Sequence, residues 1–299
     1  MKYSDLLFDS LNNISSEAGK DFSMSGGTDN DFRKDYYEIK TDEESSIYNK
    51  PKGKYMLLST PNILEMDRTK IDRCIEVFVG VLKSIIGDVG SEDRILVVGL
   101  GNRHISSDSL GAKVVGKINI TINNKLLPRV MAIAPSVMGL TGIETFDIVE
   151  GVVSRVRPTH LILIDSLCAS AVERLGRSIQ VTNTGICPGG GIGNKRKCID
   201  GKLVKNIYSI GVPLLIFSST FIGSAFEKFG IGYDEILSIM QSSRKSPEKS
   251  ELFKLSKTLK KVLEDDENEM IVSIKDIEEC VEILSNIIAR AINTILGVC

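Results

Sequence analysis

The stretch Arg-Ile-Leu-Val-Val-Gly-Leu-Gly at residues 94–101 decides the fold class. It is a continuous apolar run that ends in glycines, which is typical of a strand buried on both faces of a parallel sheet. Similar strand-like runs recur along the chain and alternate with stretches of helical periodicity. These runs are residues 55–58, 130–134, 161–164 and 212–217. The alternation predicts β-α-β units and an α/β fold, a three-layer sandwich with a mostly parallel sheet.

Helical spacing of apolar residues marks three further segments, 71–86, 143–155 and 273–296. Each repeats its apolar residues every three or four positions, so each predicts an amphipathic helix that packs on the sheet. Residues 1–50 have little periodicity and are rich in Ser, Asp, Asn and Glu, which predicts a mobile leader. We therefore expect one α/β domain over residues 51–299.

Composition and charge exclude several classes of protein. The 299 residues hold 37 Lys and Arg against 39 Asp and Glu, a formal net charge of −2, whereas a general nucleic-acid coat needs a basic surface. No run approaches the roughly 18 consecutive apolar residues that cross a bilayer, and the N-terminus lacks the basic and apolar regions of a signal peptide. We expect a cytoplasmic protein that contacts neither membrane nor nucleic acid.

The six cysteines lie far apart and form no C-x-x-C pair. Their spacing suggests neither a zinc site nor a disulfide framework. In a cytoplasmic protein such residues are expected to be reduced thiols.

The first candidate for chemistry is the loop that follows the 94–101 strand and leads to Asp108. A dinucleotide-binding G-x-G-x-x-G motif would need glycine at position 104, which is His104, so that interpretation fails. The glycines instead allow a sharp turn that starts a helix at Asp108. By itself, Asp108 in a Ser-Ser-Asp run is typical of a helix N-cap.

A second candidate is Asp165, which ends the buried apolar run 161–164. Burying a carboxylate costs free energy unless the group is paired with another group or takes part in function. Since working groups of such sheets sit beyond the carboxyl ends of the strands, Asp108 and Asp165 form a candidate acid/base pair. Like charges brought close together favour one protonated partner, so we expect the two to share a proton.

A third candidate is the glycine-rich segment 182–197, which ends in Lys195, Arg196 and Lys197. It is not a phosphate-binding Walker motif, because Asn194 separates the glycines from the lysine. The three cations are candidates for holding a substrate carboxylate. A solvated cationic turn is the alternative.

At these residues the chain resembles the spore germination endopeptidases, which degrade the small acid-soluble proteins that coat spore DNA. The segments that carry the resemblance are GLGN at 99–102, APSVMGLTGIET at 134–145, LILIDSL at 161–167, AVERLGRSIQVTNTGI at 171–186 and PGGGIGNKRK at 188–197. The resemblance implies the phosphorylase/hydrolase-like fold of the hydrogenase-maturation proteases. It also implies a homotetrameric, aspartic-type endopeptidase without metal or cofactor, located in the cytoplasm of the spore or forespore.

The same resemblance assigns roles to particular residues. It identifies Asp108 and Asp165 as the catalytic pair, and it implies cleavage beside an acidic residue, for which Lys195 to Lys197 are the candidate holders. Family members cut off their own propeptide in a sequence of the type Ile-Arg-Thr-Asp-Leu-Ala. Here residues 39–42 read Ile-Lys-Thr-Asp, but Glu43 follows Asp42 where an apolar residue is expected.

Two other functions compete with this one. In hydrogenase-maturation proteases two acids and a histidine bind nickel, and Asp108 and Asp165 could be two such ligands; however, His104 and His160 do not follow a later strand. Alternatively, the chain is a catalytically idle sporulation protein that uses the same cleft for binding. Departures such as Ser107, where the family has proline, leave that alternative open.

Overall fold

The computed structural model describes residues 25–29, 31–122, 124–169, 171–187, 197–228 and 270–298. In these residues the chain is an α/β protein built on one nine-stranded sheet. The strands are β1 Ser25–Asp29, β2 Phe32–Ile39, β3 Gly53–Ser59, β4 Arg94–Gly99, β5 Arg129–Ile133, β6 His160–Ala169, β7 Ser178–Thr182, β8 Asn206–Phe217 and β9 Ile271–Ser273. The α-helices are α1 Asp42–Tyr48, α2 Arg68–Ile86, α3 Leu110–Val115, α4 Met138–Thr141, α5 Thr145–Val156, α6 Ser218–Lys228 and α7 Ile277–Ile295.

The sheet is mixed, so the prediction of a mostly parallel sheet is wrong. Its order is β1-β2-β3-β7-β8-β6-β4-β5, with β9 beside β8. The strands β8, β6, β4 and β5 are parallel neighbours, as the alternation of strands and helices predicts. The other neighbouring pairs are antiparallel. They are β1 with β2, β2 with β3, β3 with β7, β7 with β8 and β8 with β9. The strands β1, β2, β7 and β9 escape sequence patterning because they are short or carry charged residues.

Helices cover both faces of the parallel half, which confirms the three-layer arrangement. In β4, Ile95 and Val97 pack with the side chains of α2, α3 and α7. Leu96 and Val98 pack on the other face, with the side chains of α5. Because both faces are buried, every position of the strand after the exposed Arg94 must be apolar, which explains the continuous run that follows it. Within the described ranges no helix is both long and apolar enough to span a membrane.

The N-terminal region is folded where the structure describes it, so the expectation of a mobile leader is wrong for residues 31–50. Strand β2 pairs with β3 from Arg33, opposite Ser59, to Ile39, opposite Gly53. Phe32 and Ile39 are buried. The boundary expected at residue 50 lies in the connection between β2 and β3, which are antiparallel neighbours in the sheet.

Two of the cysteines are bonded, which corrects the expectation of six reduced thiols. Cys187 and Cys198 form a disulfide across a Cα–Cα distance of 4.0 Å. A two-residue bridge beside it joins Ile186 and Ile199 through two backbone hydrogen bonds of 2.9 Å. The described cysteines outside this disulfide are all buried; they are Cys74, Cys168 and Cys280.

Candidate active site

The strands β4, β5, β6 and β8 end at the same side of the sheet, which we call the carboxyl edge. Gly99, the last residue of β4, lies opposite Ile164, the residue before Asp165. The amide of Leu100 donates a hydrogen bond of 2.8 Å to the carbonyl of Ile164. Farther along, a 3₁₀ turn at Ser106–Asp108 returns and packs against β6 and β8. The fold thus brings the turn that carries Asp108 to the strand that carries Asp165.

The side chain of Asp108 holds the loop that leaves β4. Its Oδ2 atom accepts a hydrogen bond of 2.8 Å from the amide of Asn102. The N-cap position of α3 is Ser109, and no side chain caps that helix. The interpretation of Asp108 as a helix N-cap is therefore wrong. Its carboxyl group instead faces the backbone at the end of β4.

Glycines permit this close approach, as the sequence predicts. Gly101 has φ +94°, a left-handed conformation that favours glycine. A Cβ atom at this position would overlap the backbone oxygen of Asp108 and come within 2.7 Å of its Oδ1. At Gly99 a Cβ atom would overlap the carbonyl of Gly111 in α3. The glycines let helix α3 begin directly against the end of β4.

Burial raises the pKa of Asp108 to about 6, and the hydrogen bond from the Asn102 amide opposes the rise. Desolvation disfavours the charged carboxylate, whereas a donor to the carboxylate stabilises it. Because burial is the main cause, Asp108 can hold a proton at mildly acidic pH without sharing it with another carboxylate. A carboxyl group with this pKa is suited to general acid/base chemistry.

Asp165 is buried, with 9% of its surface exposed. Its Oδ1 atom accepts a hydrogen bond of 2.9 Å from the amide of Ser166. Leu161 and Leu163 of the same strand face α5, so the alternation of side chains places Asp165 on that face. The Asp108 turn lies on the α3 face. The turn packs there against α3 and α7, so the two acids approach the carboxyl edge from opposite faces.

Of the three predicted substrate-binding cations, Lys195 and Arg196 lie outside the described residues. Lys197 has its Nζ atom 3.2 Å from Oδ1 of Asp147 and 5.2 Å from the ring centre of Phe146. Both partners lie in the first turn of α5, which follows the carboxyl end of β5. The ammonium group is therefore near the carboxyl edge, where it contacts an acidic side chain of the protein itself.

Of the two histidines, one lies apart from the two acids and the other is exposed. His160 begins β6, at the opposite end of the parallel strands from Asp165, and its Nδ1 atom is 3.5 Å from Oδ1 of Asp93. His104 is exposed in the loop after β4. In the described part of the chain, no three side chains of the His, Cys, Asp and Glu types lie together as a metal-binding group.

Two serines at the carboxyl edge were not singled out by sequence. Ser136 follows β5 with φ +69°, a conformation that is uncommon for a residue other than glycine and costs of order 1–3 kcal/mol. The buried hydroxyl oxygens of Ser136 and Ser166 have no hydrogen-bond partner among the described residues. Neither property leaves a signal in the sequence, because both depend on residues far away along the chain.

The candidate processing site lies in a helix. Thr41 is the N-cap of α1, and Asp42 and Glu43 occupy its first turn. Thr41 and Glu44 form a capping box: Oγ1 of Thr41 accepts from the Glu44 amide at 3.1 Å, and Oε2 of Glu44 accepts from the Thr41 amide at 3.0 Å. Ile39, at the end of β2, is buried. The bond after Asp42 is thus in ordered, helical backbone.

Comparison with known proteins places the chain in one family. Residues 9–233 match the family model described as germination protease. The germination protease of Clostridium perfringens strain SM101 is 32% identical over 275 residues, which cover 87% of this chain and 82% of that relative. The germination protease of Clostridium acetobutylicum is 32% identical over 87% of this chain and 83% of its own length. That of Priestia megaterium is 39% identical over 59% of this chain and 51% of its own length. The chain is a member of the germination protease family, and so of a family of peptidases.

Proposed function

We propose that this protein is an endopeptidase that starts the degradation of small acid-soluble spore proteins during germination, by an aspartic-type mechanism that needs no metal or cofactor. Membership of the germination protease family supports the reaction class. The observation that carries the mechanism is the packing of the Asp108 turn against the strand of Asp165, together with the burial that raises the pKa of Asp108 to about 6.

In the proposed mechanism the two acids have different roles. Asp165 is ionised and takes a proton from a water molecule, whose oxygen attacks the carbonyl carbon of the scissile peptide. Asp108 is protonated and donates a hydrogen bond to the carbonyl oxygen, which stabilises the charge that develops there. Asp108 then passes its proton to the leaving amine as the C–N bond breaks. The raised pKa of Asp108 is the reason for assigning it the acid role.

Substrate selection is proposed to depend on the basic segment. Lys195, Arg196 and Lys197 are the candidates for holding the acidic residue beside the cut. For Lys197 this means exchanging its contact with Asp147 for the substrate carboxylate. Replacing all three cations with Gln is expected to weaken the preference for an acidic residue. Unchanged affinity and unchanged preference would exclude this role.

The function is tested by digesting purified small acid-soluble spore protein with the wild type and with Asp108→Asn and Asp165→Asn, and reading the products on a gel. Each substitution is expected to lower kcat at least about a hundredfold, because each removes a proton-transfer group. Circular dichroism should show that both variants remain folded. Near-normal turnover by either variant would refute the assignment, and an inactive wild type would favour the catalytically idle alternative.

Further expectations from the family resemblance belong to the same proposal. They are a fold shared with the hydrogenase-maturation proteases, a homotetramer, a location in the spore or forespore cytoplasm, and a propeptide. The candidate cut of this propeptide, between Asp42 and Glu43, lacks the apolar pair that the family has after the acid. Light scattering of the purified protein tests the tetramer. Calorimetry with Ni²⁺ tests the metal-binding alternative, since tight binding that Asp165→Asn abolishes would favour it.

A further inference from the structure

The two unpartnered hydroxyls, those of Ser136 and Ser166, are both at the carboxyl edge. Ser166 follows Asp165 in β6, and Ser136 lies just beyond the end of β5. A buried hydroxyl without a partner is unfavourable compared with one in water, and natural proteins keep few of them. Ser166 adjoins the candidate catalytic residue Asp165, and Ser136 lies at the same edge, after a strand that is two positions away in the sheet. Their position indicates that a bound molecule supplies the missing partners.

Ser136 has a second unfavourable property, its left-handed backbone with φ +69°. The conformation is fixed from outside the residue, because Oγ1 of Thr145 in α5 donates a hydrogen bond of 3.1 Å to the Ser136 carbonyl. Glycine would adopt the same backbone without strain, yet the chain has serine here. Strained backbone at a candidate site is typical of a residue whose side chain is held in place for binding.

We propose that Ser136 and Ser166 are substrate-binding residues whose hydroxyls hydrogen-bond the backbone of an extended peptide lying across the end of β4. This inference rests on the proposed endopeptidase function. A serine hydroxyl can donate and accept, so it can bind either the N–H or the C=O group of a peptide, whatever the side chains. Such contacts fix the position of the substrate chain without selecting its sequence.

The geometry of the sheet supports a peptide in this position. Strand β4 lies between β5 and β6, and neighbouring strands are about 4.8 Å apart, so the ends of β5 and β6 are roughly 10 Å apart across the edge. An extended peptide rises about 3.3 Å per residue, so roughly three residues span that distance. Ser166 follows Asp165 in β6, and the alternation of side chains points it to the opposite face, where the Asp108 turn lies. The scissile bond is therefore placed toward that end of the peptide, between the two acids.

The burial of the two oxygen atoms does not prevent this contact. Each residue as a whole is only partly buried, so part of its surface already borders solvent. One rotation about χ1 redirects a serine hydroxyl, and the side chain has several staggered positions. In the free protein the hydroxyls point inward, and a bound peptide gives them the partners that the interior does not provide.

The test measures peptide binding and cleavage separately in Ser136→Ala, Ser166→Ala and Ser136→Gly. Binding of a fluorescein-labelled peptide from a small acid-soluble spore protein is measured by anisotropy in the Asp108→Asn background, so that turnover does not interfere. Kinetics of cleavage are measured with Asp108 intact. Ser154→Ala is the matched control, since Ser154 is exposed in α5 and bonds the Gly151 carbonyl of its own helix.

Each alanine variant is expected to raise Kd and KM about fivefold to tenfold and to leave kcat within about twofold, because a contact made equally in the ground and transition states affects binding alone. Ser136→Gly is expected to lose the same affinity and to unfold at a higher temperature, since the strain is relieved while the hydroxyl is lost. If Ser136 had only a structural role, Ser136→Gly would not lower the affinity for peptide while it raises the unfolding temperature.

The inference is overturned if Kd and KM of both alanine variants stay within twofold of the wild type, or if the peptide does not bind at all. Its failure is distinguishable from failure of the proposed function. Cleavage by the wild type together with unchanged affinity in the serine variants would exclude only the serine contacts. Binding that the serine variants weaken, in a wild type that does not cleave, would support the contacts and exclude the peptidase function.

Discussion

The carboxyl group of Asp108 accepts a hydrogen bond of 2.8 Å from the amide of Asn102, the second residue after Leu100 at the end of β4. The amide of Leu100 in turn donates to the carbonyl of Ile164, which precedes Asp165. Two hydrogen bonds, one to the Asp108 side chain and one between backbones, therefore connect the end of β4 to both candidate catalytic acids. Small changes at the end of β4 should displace Asp108 relative to Asp165.

The first prediction concerns the pH dependence of cleavage. If Asp108 is the general acid, kcat/KM should fall as the pH rises through about 6, where Asp108 loses its proton. The measurement is a pH profile of kcat/KM for the wild type between about pH 4 and 8. A rate that instead increases through about pH 6 would make Asp108 the base and reverse the proposed roles.

The second prediction concerns stability. Because the pKa of Asp108 is about 6 in the folded protein and has an ordinary value of 3.8, the folded state binds this proton more tightly than the unfolded state. The free energy of unfolding should therefore decrease as the pH rises through that interval. Asp108→Asn lacks the titrating carboxyl group, and its amide oxygen can still accept the hydrogen bond from the Asn102 amide. Its free energy of unfolding should therefore exceed that of the wild type by about 1–3 kcal/mol at neutral pH.

Urea unfolding of both proteins at several values from about pH 4 to 7 measures this difference. The difference in free energy of unfolding between the two proteins should be small at the acidic end of this range and increase toward neutral pH. Curves for the two proteins that remain parallel over the whole interval would show that Asp108 titrates normally in the folded state.

The third prediction concerns Gly101, where a Cβ atom would overlap the backbone oxygen of Asp108 and the φ angle is +94°. Gly101→Ala should destabilise the protein by at least about 1–2 kcal/mol and lower kcat at least about tenfold, because the turn at Asp108 must move. The control is Gly151→Ala in α5, where a Cβ atom meets nothing within 4 Å and alanine favours the helix. Normal activity of Gly101→Ala would show that the position of Asp108 tolerates displacement.

The sequence predicted the two acids and their strands because burial on both faces leaves an unbroken apolar run. Such runs at 94–101 and 161–164 mark β4 and β6, and the carboxyl ends of parallel strands meet at one edge. Strand β2 was missed because its inward positions are not all apolar. Asp35 is buried there, with Oδ1 2.9 Å from Nε of Arg33, and a hydropathy pattern cannot anticipate such a pair.

Other features of the site depend on contacts between residues that are distant in sequence. The left-handed backbone of Ser136 is held by Thr145 in another element, and the pKa of Asp108 depends on how deeply the fold buries it. The pairing of Cys187 with Cys198 follows from the antiparallel bridge between Ile186 and Ile199, which spacing alone does not indicate. Residue types and strand ends could be predicted, but conformation and environment could not.

The fourth prediction concerns the disulfide between Cys187 and Cys198, which closes a loop with a sequence separation of 11. A cross-link over a loop of this size restricts the unfolded chain and is worth up to about 3 kcal/mol. Dithiothreitol should therefore lower the free energy of unfolding of the wild type and leave that of Cys187→Ser unchanged. Alkylation after denaturation without reductant should label two fewer than the six cysteines. Labelling of all six under oxidising conditions would show that the bond does not form.

The fifth prediction concerns self-processing after Asp42. Proteases cut exposed, locally unfolded backbone most readily, so the first turn of α1 must open before this bond is cleaved. Thr41→Ala removes the N-cap and Glu44→Ala removes the reciprocal bond of the capping box. Loss of an N-cap costs about 0.5–2 kcal/mol, which should increase the open population and the cleavage rate about 2- to 30-fold.

The matched control for this experiment is Glu44→Gln, because glutamine also completes a capping box and should leave the rate near that of the wild type. Each protein is kept at mildly acidic pH, and the new N-terminus is sequenced over time. Glu43 should appear as the new first residue, faster in Thr41→Ala and Glu44→Ala than in Glu44→Gln. Equal rates in all variants would mean that opening of α1 does not limit the cut, and a different new terminus would place the processing site elsewhere. The capping box is distant in sequence from Asp108 and Asp165. A changed processing rate with unchanged cleavage of added substrate would therefore show that the stability of α1 controls the rate of processing.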